Sequence, residues 1–209
     1  LRLLEAEVYG WRGENVESEK SALEAFELSK RHDAEWSRAA RLLGTARCRL
    51  DKHEGLAAVG RDLLEAVGVA GDQAYAAAAA STALSLFEAG ERRLGDQLVE
   101  HIKTANPNAP PGAAWPFVLR AAKARSEWAP LSFLRETEGA IQALDRAGEA
   151  GHAGIQQVHR AEMLNILGAY NLAEQALRGV LPAAQRSGMA HLEAMVNQQL
   201  GVAIAAQGK

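Results

Sequence analysis

Six small residues, Ala6, Gly44, Ala83, Ala122, Ala161 and Gly201, recur along the chain at intervals of 38, 39, 39, 39 and 40 positions. A second row, Ala25, Leu63, Ile102, Ile141 and Val180, follows each small residue by 19 positions and is apolar throughout. A third row, Gly13, Asp51, Gly90, Ala129, Gly168 and Gly208, follows by seven and carries turn-forming residues at most of its places. A unit of this length holds two helices, and two helices cannot bury their apolar faces alone, so the units must stack. The expected fold is all-α: a right-handed superhelical solenoid of antiparallel helix pairs, about 11 helices in one domain. Its repeats fall at residues 1–32, 33–70, 71–110, 111–150, 151–188 and a half repeat at 189–209.

The composition suits such a core. The chain has 209 residues, 48% hydrophobic but only 5% aromatic, so the interior must be built from Ala, Leu and Val and should be continuous and thin. A formal charge of −3 provides no basic field for nucleic acid or an anionic membrane. The Ala-rich stretch 74–87 contains Ser81, Thr82 and Ser85 and is shorter than the roughly 20 apolar residues of a membrane span. The single cysteine, Cys48, excludes an intramolecular disulfide framework and fits a reducing compartment. With no visible secretory signal, a cytoplasmic location is expected. Leu1 already lies in an apolar helical pattern, and the last helix, residues 189–206, is too apolar for a cap, so the chain reads as a fragment of a larger protein. That helix, with Leu192, Met195 and Val202, is expected to drive self-association.

Local signals place the helices. Trp36, Ala39, Ala40, Leu43 and Ala46 form one stripe, and Leu94, Leu98, Val99 and Ile102 another. Gly71 and Asp72 read as a helix stop and the next N-cap. The segment 106–112, with Pro107, Pro110 and Pro111, reads as a surface loop between the third and fourth repeats. Pro116 and Pro130 suit helix first turns, whereas Pro182 falls inside a helix and predicts a kink.

The repeats resemble a tetratricopeptide repeat array. Ala161, Leu164, Gly168, Tyr170, Ala173 and Leu177 match that family's small residue, large residue, turn glycine, tyrosine and second-helix small residue. Leu200, Gly201, Ile204 and Gly208 repeat the first half of the pattern, as do Ala83, Leu86 and Gly90, and Ala6, Tyr9 and Gly13. The second and fourth repeats depart from it, placing Arg47 and Arg125 where the family has a large packing residue. The period also exceeds the family's usual 34 residues. Longer repeats of this kind resemble the arrays of bacterial multidomain regulators, in which they act as sensor or interaction domains, and the excess of Arg over Lys is in keeping with a bacterial gene.

The resemblance implies a noncatalytic protein or peptide interaction module of a regulatory protein, with its ligand in the concave groove. The alternative is a small-ligand-binding allosteric sensor. The first helix of each pair lines that groove in the family, at positions that carry over to Trp11, Arg38, Arg41, Arg49, Leu84, Phe87, Leu119, Lys123, Val158, Glu162 and Ile166. Arg38, Arg41 and Arg49 would form a basic lip for a carboxylate, and Leu84, Phe87 and Leu119 an apolar floor. The same arginines would otherwise simply solvate an exposed helix. No catalytic residues, cofactor or metal site are expected. His32, His53, His101, His152, His159 and His191 contain no i,i+4 pair, and His152 and His159 lie two turns apart, about 10 Å by helix rise. Cys48, between Arg47 and Arg49, reads either as a stabilised thiolate or as a buried structural thiol. Acid pairs such as Glu136 and Glu138 read as solvated surface.

Overall fold

The computed structural model describes residues 1–66, 73–105 and 113–208. Eleven α-helices and no strands occur among them. They are α1 (Arg2–Arg12), α2 (Asn15–Leu28), α3 (Ala34–Arg49), α4 (His53–Glu65), α5 (Gln73–Glu88), α6 (Arg92–Ala105), α7 (Trp115–Ser126), α8 (Pro130–Arg146), α9 (Ala150–Ile166), α10 (Tyr170–Ser187) and α11 (Ala190–Ala206). The expected stop at Gly71-Asp72 and the proline-rich segment 106–112 lie outside the described residues. Pro116 and Pro130 occupy first turns of α7 and α8, where a missing N–H costs nothing. Pro182 lies inside α10, which is a single helix on both sides of it.

The turns inside the pairs depend on left-handed residues. Gly13, Asp51, Gly90, Gly168 and Gly208 all have positive φ, each seven residues after its small partner. In the fourth pair the left-handed residue is Trp128, at φ 56°, rather than Ala129. The register of α7 is therefore one residue earlier than the spacing predicts. Ala121 takes the place in step with the other small residues, and Ala140, fully buried, replaces Ile141, which is only partly buried.

Packing follows chain order. Each helix meets the next, and the odd-numbered helices also form a row in which α1 touches α3, α3 touches α5, and α5 touches α7. α9 touches α11, and α11 touches α1. The first and last helices therefore meet. Between α7 and α9 the backbones make no direct approach among the described residues. α8 packs against both.

The core divides at the same place. One cluster runs from Ala6 to Leu119 through Leu43, Leu63, Leu86 and Ile102, and another joins Val158, Leu177, Leu192 and Val196. A third, small group joins Ala121, Ala124, Phe133 and Met163 and meets the second cluster at Leu134. Each fully buried aliphatic side chain contributes about 1.5–3 kcal/mol relative to exposure. Ala6, Ala83, Ala122 and Ala161 are completely buried. Gly201 is exposed, and a Cβ there would meet nothing within 4 Å.

Buried polar groups are tied across the helices. Ser18 Oγ donates to the carbonyl of Ala6 at 2.8 Å, and the Tyr75 hydroxyl to that of Leu63 at 2.8 Å. Burial pushes the Tyr75 pKa up to about 12. Arg47, in a place where a large apolar residue is expected, instead donates to the carbonyl of Gly55 at 2.9 Å and to Glu19 at 3.4 Å. On α11, Leu192 and Val196 are buried by α9 and α10 of the same chain, while Val202 is exposed.

Candidate functional site

The row of odd-numbered helices surrounds a partly enclosed cavity of about 760 Å³. Its walls come from α1, α3, α5, α7, α9 and α11, with small contributions from Ser18 of α2 and from the end of α8. Two tryptophans, Trp11 and Trp115, stand in the wall with Leu84, Val118, Ile155 and Met195. The polar lining includes three arginines, Arg41, Arg49 and Arg125, three histidines, His152, His159 and His191, and four glutamates, Glu7, Glu88, Glu149 and Glu162.

Contacts from α1 close the cavity. The Trp11 ring lies edge-on to His152 of α9, with centroids 5.3 Å apart. Gly151 makes that approach available, since a Cβ there would come within 2.7 Å of Trp11 Cη2. Arg49 of α3 donates to the carbonyl of Gly10, near the end of α1, at 3.1 Å.

At this end, Arg41 Nη1 and His152 Nε2 are 3.1 Å apart. A guanidinium only donates, so Nε2 accepts, and the ring is neutral with its proton on Nδ1, 3.2 Å from the Glu149 carboxylate. Burial, helped by Arg41 and Arg49, lowers the His152 pKa to about 4. Burial and Arg49 do the same for His191, to about 4. Arg49 itself is lowered to about 10 by burial and stays charged at neutral pH.

The other charged group lies between α5, α7 and α9. Arg125 Nη2 donates to Glu162 at 3.1 Å, and its Nη1 is 3.7 Å from Glu88. His159 Nε2 is 4.0 Å from the same Glu88 oxygen. Burial raises the Glu88 pKa against the pull of Arg125 and Arg49, and burial, followed by Arg125, lowers His159 to about 4. Cys48 Sγ lies 3.7 Å from the Ser85 carbonyl, and burial pushes the thiol pKa up. The arginines beside it in sequence do not make it a thiolate. Among the described residues no group of three His, Cys, Asp or Glu side chains could hold a metal ion.

Six of the eleven residues that the sequence places in the groove, Trp11, Arg41, Arg49, Leu84, Val158 and Glu162, line this cavity. The others do not. Arg38 is exposed outside it, so the three arginines form no common lip. Phe87 packs over Gly95 of α6, and Ile166 is 53% exposed. Leu119 is buried in the core, and Lys123 pairs with Asp96 at 2.8 Å and Glu127 at 3.2 Å. The one-residue shift of α7 accounts for these last two, because it turns Val118 inward in place of Leu119. The same shift buries Ala124 at the packing position and directs Arg125 into the cavity. His159, His191, Glu88 and Trp115 were not assigned to the groove, although His152 and His159 share a helical face in the sequence. Compared with known proteins, the chain matches no family model, no curated protein and no solved structure.

Proposed function

We propose that the chain is a noncatalytic ligand-sensing module, a tetratricopeptide-like stack of helix pairs that binds a small organic molecule in the cavity enclosed by its odd-numbered helices. The observation that carries this reading is the contact of α1 with α11, which brings the two ends of the odd-numbered row together around a partly enclosed cavity of about 760 Å³, with α8 joining α7 to α9. That volume falls within the roughly 300–1,000 Å³ of small-molecule sites, and its mixture of aromatic walls and a few converging polar groups is typical of them. An extended peptide needs an open trough, and here the basic lip expected to receive it is divided between the outside, Arg38, and the inside, Arg41 and Arg49. The Cys48 thiol, partly buried and with its pKa raised by burial, supports a binding role over a nucleophilic one. A ligand touching α1, α3 and α9 at once would favour the closed arrangement over any looser one, which is how such a module would transmit occupancy to the rest of a regulatory protein.

The test is a thermal-shift screen of metabolite-sized compounds against the wild-type protein and Ser81→Trp, a substitution that places an indole in the cavity from α5. Compounds that stabilise the wild type should lose their effect on the variant. Stabilisation by extended peptides, undiminished in Ser81→Trp, would replace this reading with groove-type protein recognition.

A further inference from the structure

Two of the three arginines that line the cavity form no ion pair among the described residues. Arg125 is held by Glu162 and Glu88, but neither Arg41 nor Arg49 has a carboxylate within 4.0 Å among the described residues. The polar contacts they do make are one each, to neutral acceptors: His152 Nε2 for Arg41 and the Gly10 carbonyl for Arg49. Each guanidinium carries five N–H donors, and both line the cavity with most of those donors uncommitted to protein acceptors among the described residues. Charges partly withdrawn from water are costly unless paired, a cost that a bound anion would offset.

The nearby carboxylates are engaged elsewhere or stand off. Glu149 faces His152 Nδ1, and Glu88 and Glu162 face Arg125; Glu7 and Glu149 act on Arg41, and Glu88 on Arg49, only from beyond ion-pair distance. Both arginines converge on the seat of Trp11, Arg41 through His152, which touches the indole, and Arg49 through the carbonyl of the residue before it. The same cavity has apolar wall, with Leu84, Ile155 and Met195.

We infer that Arg41 and Arg49 form an oxyanion-recognition subsite, and that the ligand is an organic anion whose carboxylate or phosphate lies between them while its apolar body packs beside Trp11. This rests on the reading of the cavity as a small-molecule site and adds the chemical class of what it holds. Arginine suits either anion because its planar donors match both by two parallel hydrogen bonds. Neutral His152 helps by adding no second positive charge and by presenting Arg41 in a fixed orientation.

The experiment uses three probes of similar size: phenylacetate, phenyl phosphate and neutral 2-phenylethanol. Binding is read by calorimetry with the wild type, Arg41→Gln, Arg49→Gln and Ser81→Trp. The two anions should bind the wild type at least about tenfold more tightly than the alcohol, by the strength of charge-assisted pairs. Each arginine variant should lose that advantage while retaining the alcohol. The ratio of phenylacetate to phenyl phosphate identifies which anion the site prefers. A thermal shift of the wild type with inorganic phosphate against chloride at equal ionic strength gives a readout independent of any variant's folding, and it should be positive. Equal binding of all three probes, with the arginine variants unchanged and Ser81→Trp still blocking, overturns the anion subsite and leaves the small-molecule cavity standing. Absence of any binding to the wild type overturns both.

Discussion

Arg41 and His152 are 111 positions apart in the chain and 3.1 Å apart in space, a hydrogen bond that links the second helix pair to the fifth across the cavity. It forms because the inner row turns back on itself. Trp11 then covers His152, and Gly151 leaves room for the indole. The closing contact thus depends on a glycine in α9 that helix propensity alone would not choose.

Glycines along the inner helices should therefore differ in sign. Gly151→Ala places a methyl group against a rigid ring and the end of Met189, and should cost about 1–3 kcal/mol through overpacking, less the helical gain of removing a glycine. Gly201→Ala meets open space and should stabilise by about 0.8–1 kcal/mol. Ala83→Leu, at a fully buried member of the same small-residue row, should again cost about 1–3 kcal/mol. Denaturant melts of the three variants measure this directly. A stabilised Gly151→Ala would mean that α1 is not seated on α9.

Stability should fall as the solution is acidified from about pH 6.5 towards pH 4. His152, His159 and His191 each have pKa values of about 4 in the fold, against about 6.5 for an ordinary histidine. In that window the unfolded chain takes up protons that the folded chain refuses, so stability rises with pH and levels off above the ordinary value. Burial and the arginines set the sign, Arg41 and Arg49 at His152, Arg125 and Arg49 at His159, and Arg49 at His191, while the carboxylates Glu149 beside His152 and Glu162 and Glu88 beside His159 pull the other way without reversing it. His159→Gln should flatten the slope of the melting temperature against pH. An unchanged slope in all three single glutamine variants would place the acid sensitivity elsewhere.

Trp128 adopts φ 56° and is 66% exposed, so its side chain buries little while its backbone is strained. The left-handed region costs a non-glycine residue roughly 1–2 kcal/mol, part of which glycine returns through its freer unfolded state. Trp128→Gly should raise stability by about 0.5–1 kcal/mol, or a melting shift of a few degrees at this chain length. A lower melting temperature would show that the indole packs more usefully than its exposure suggests.

That residue also shows how far the sequence could be read. The periodic small residues, the turn glycines and Pro116 and Pro130 identified the helices, because backbone sterics and close packing act through residue type at fixed spacing. The fourth pair could not be placed by counting: Ala121 and Ala122 are chemically identical, both are buried, and only the left-handed Trp128 decides between them. One residue of slip then moved Leu119 and Lys123 out of the site and brought Val118 and Arg125 in. Closure was not legible at all. It depends on the summed curvature of the stack and on contacts such as Trp11 with His152, whose partners lie too far apart for any local pattern to join them.

The two kinds of cavity arginine should respond oppositely to loss of charge. Arg125→Met leaves Glu88 and Glu162 facing the cavity without their cation, and since these side chains are each 31% accessible the expected cost is about 1–3 kcal/mol, below the full penalty for a buried pair. Arg49→Met removes a cation that has no carboxylate partner, and the Gly10 carbonyl it releases still accepts from the Gly13 N–H at 3.3 Å. Stability should then stay within about 1 kcal/mol of the wild type or rise, because an apolar side chain replaces an uncompensated charge. Chemical denaturation of both variants, with and without phenyl phosphate, separates the roles. Arg49→Met should match or exceed the wild type without the anion and gain nothing from it, whereas Arg125→Met should be weaker but still stabilised by the anion. If Arg49→Met loses more stability than Arg125→Met in the absence of any anion, Arg49 is a structural strut for α1, and its charge is not kept for a ligand.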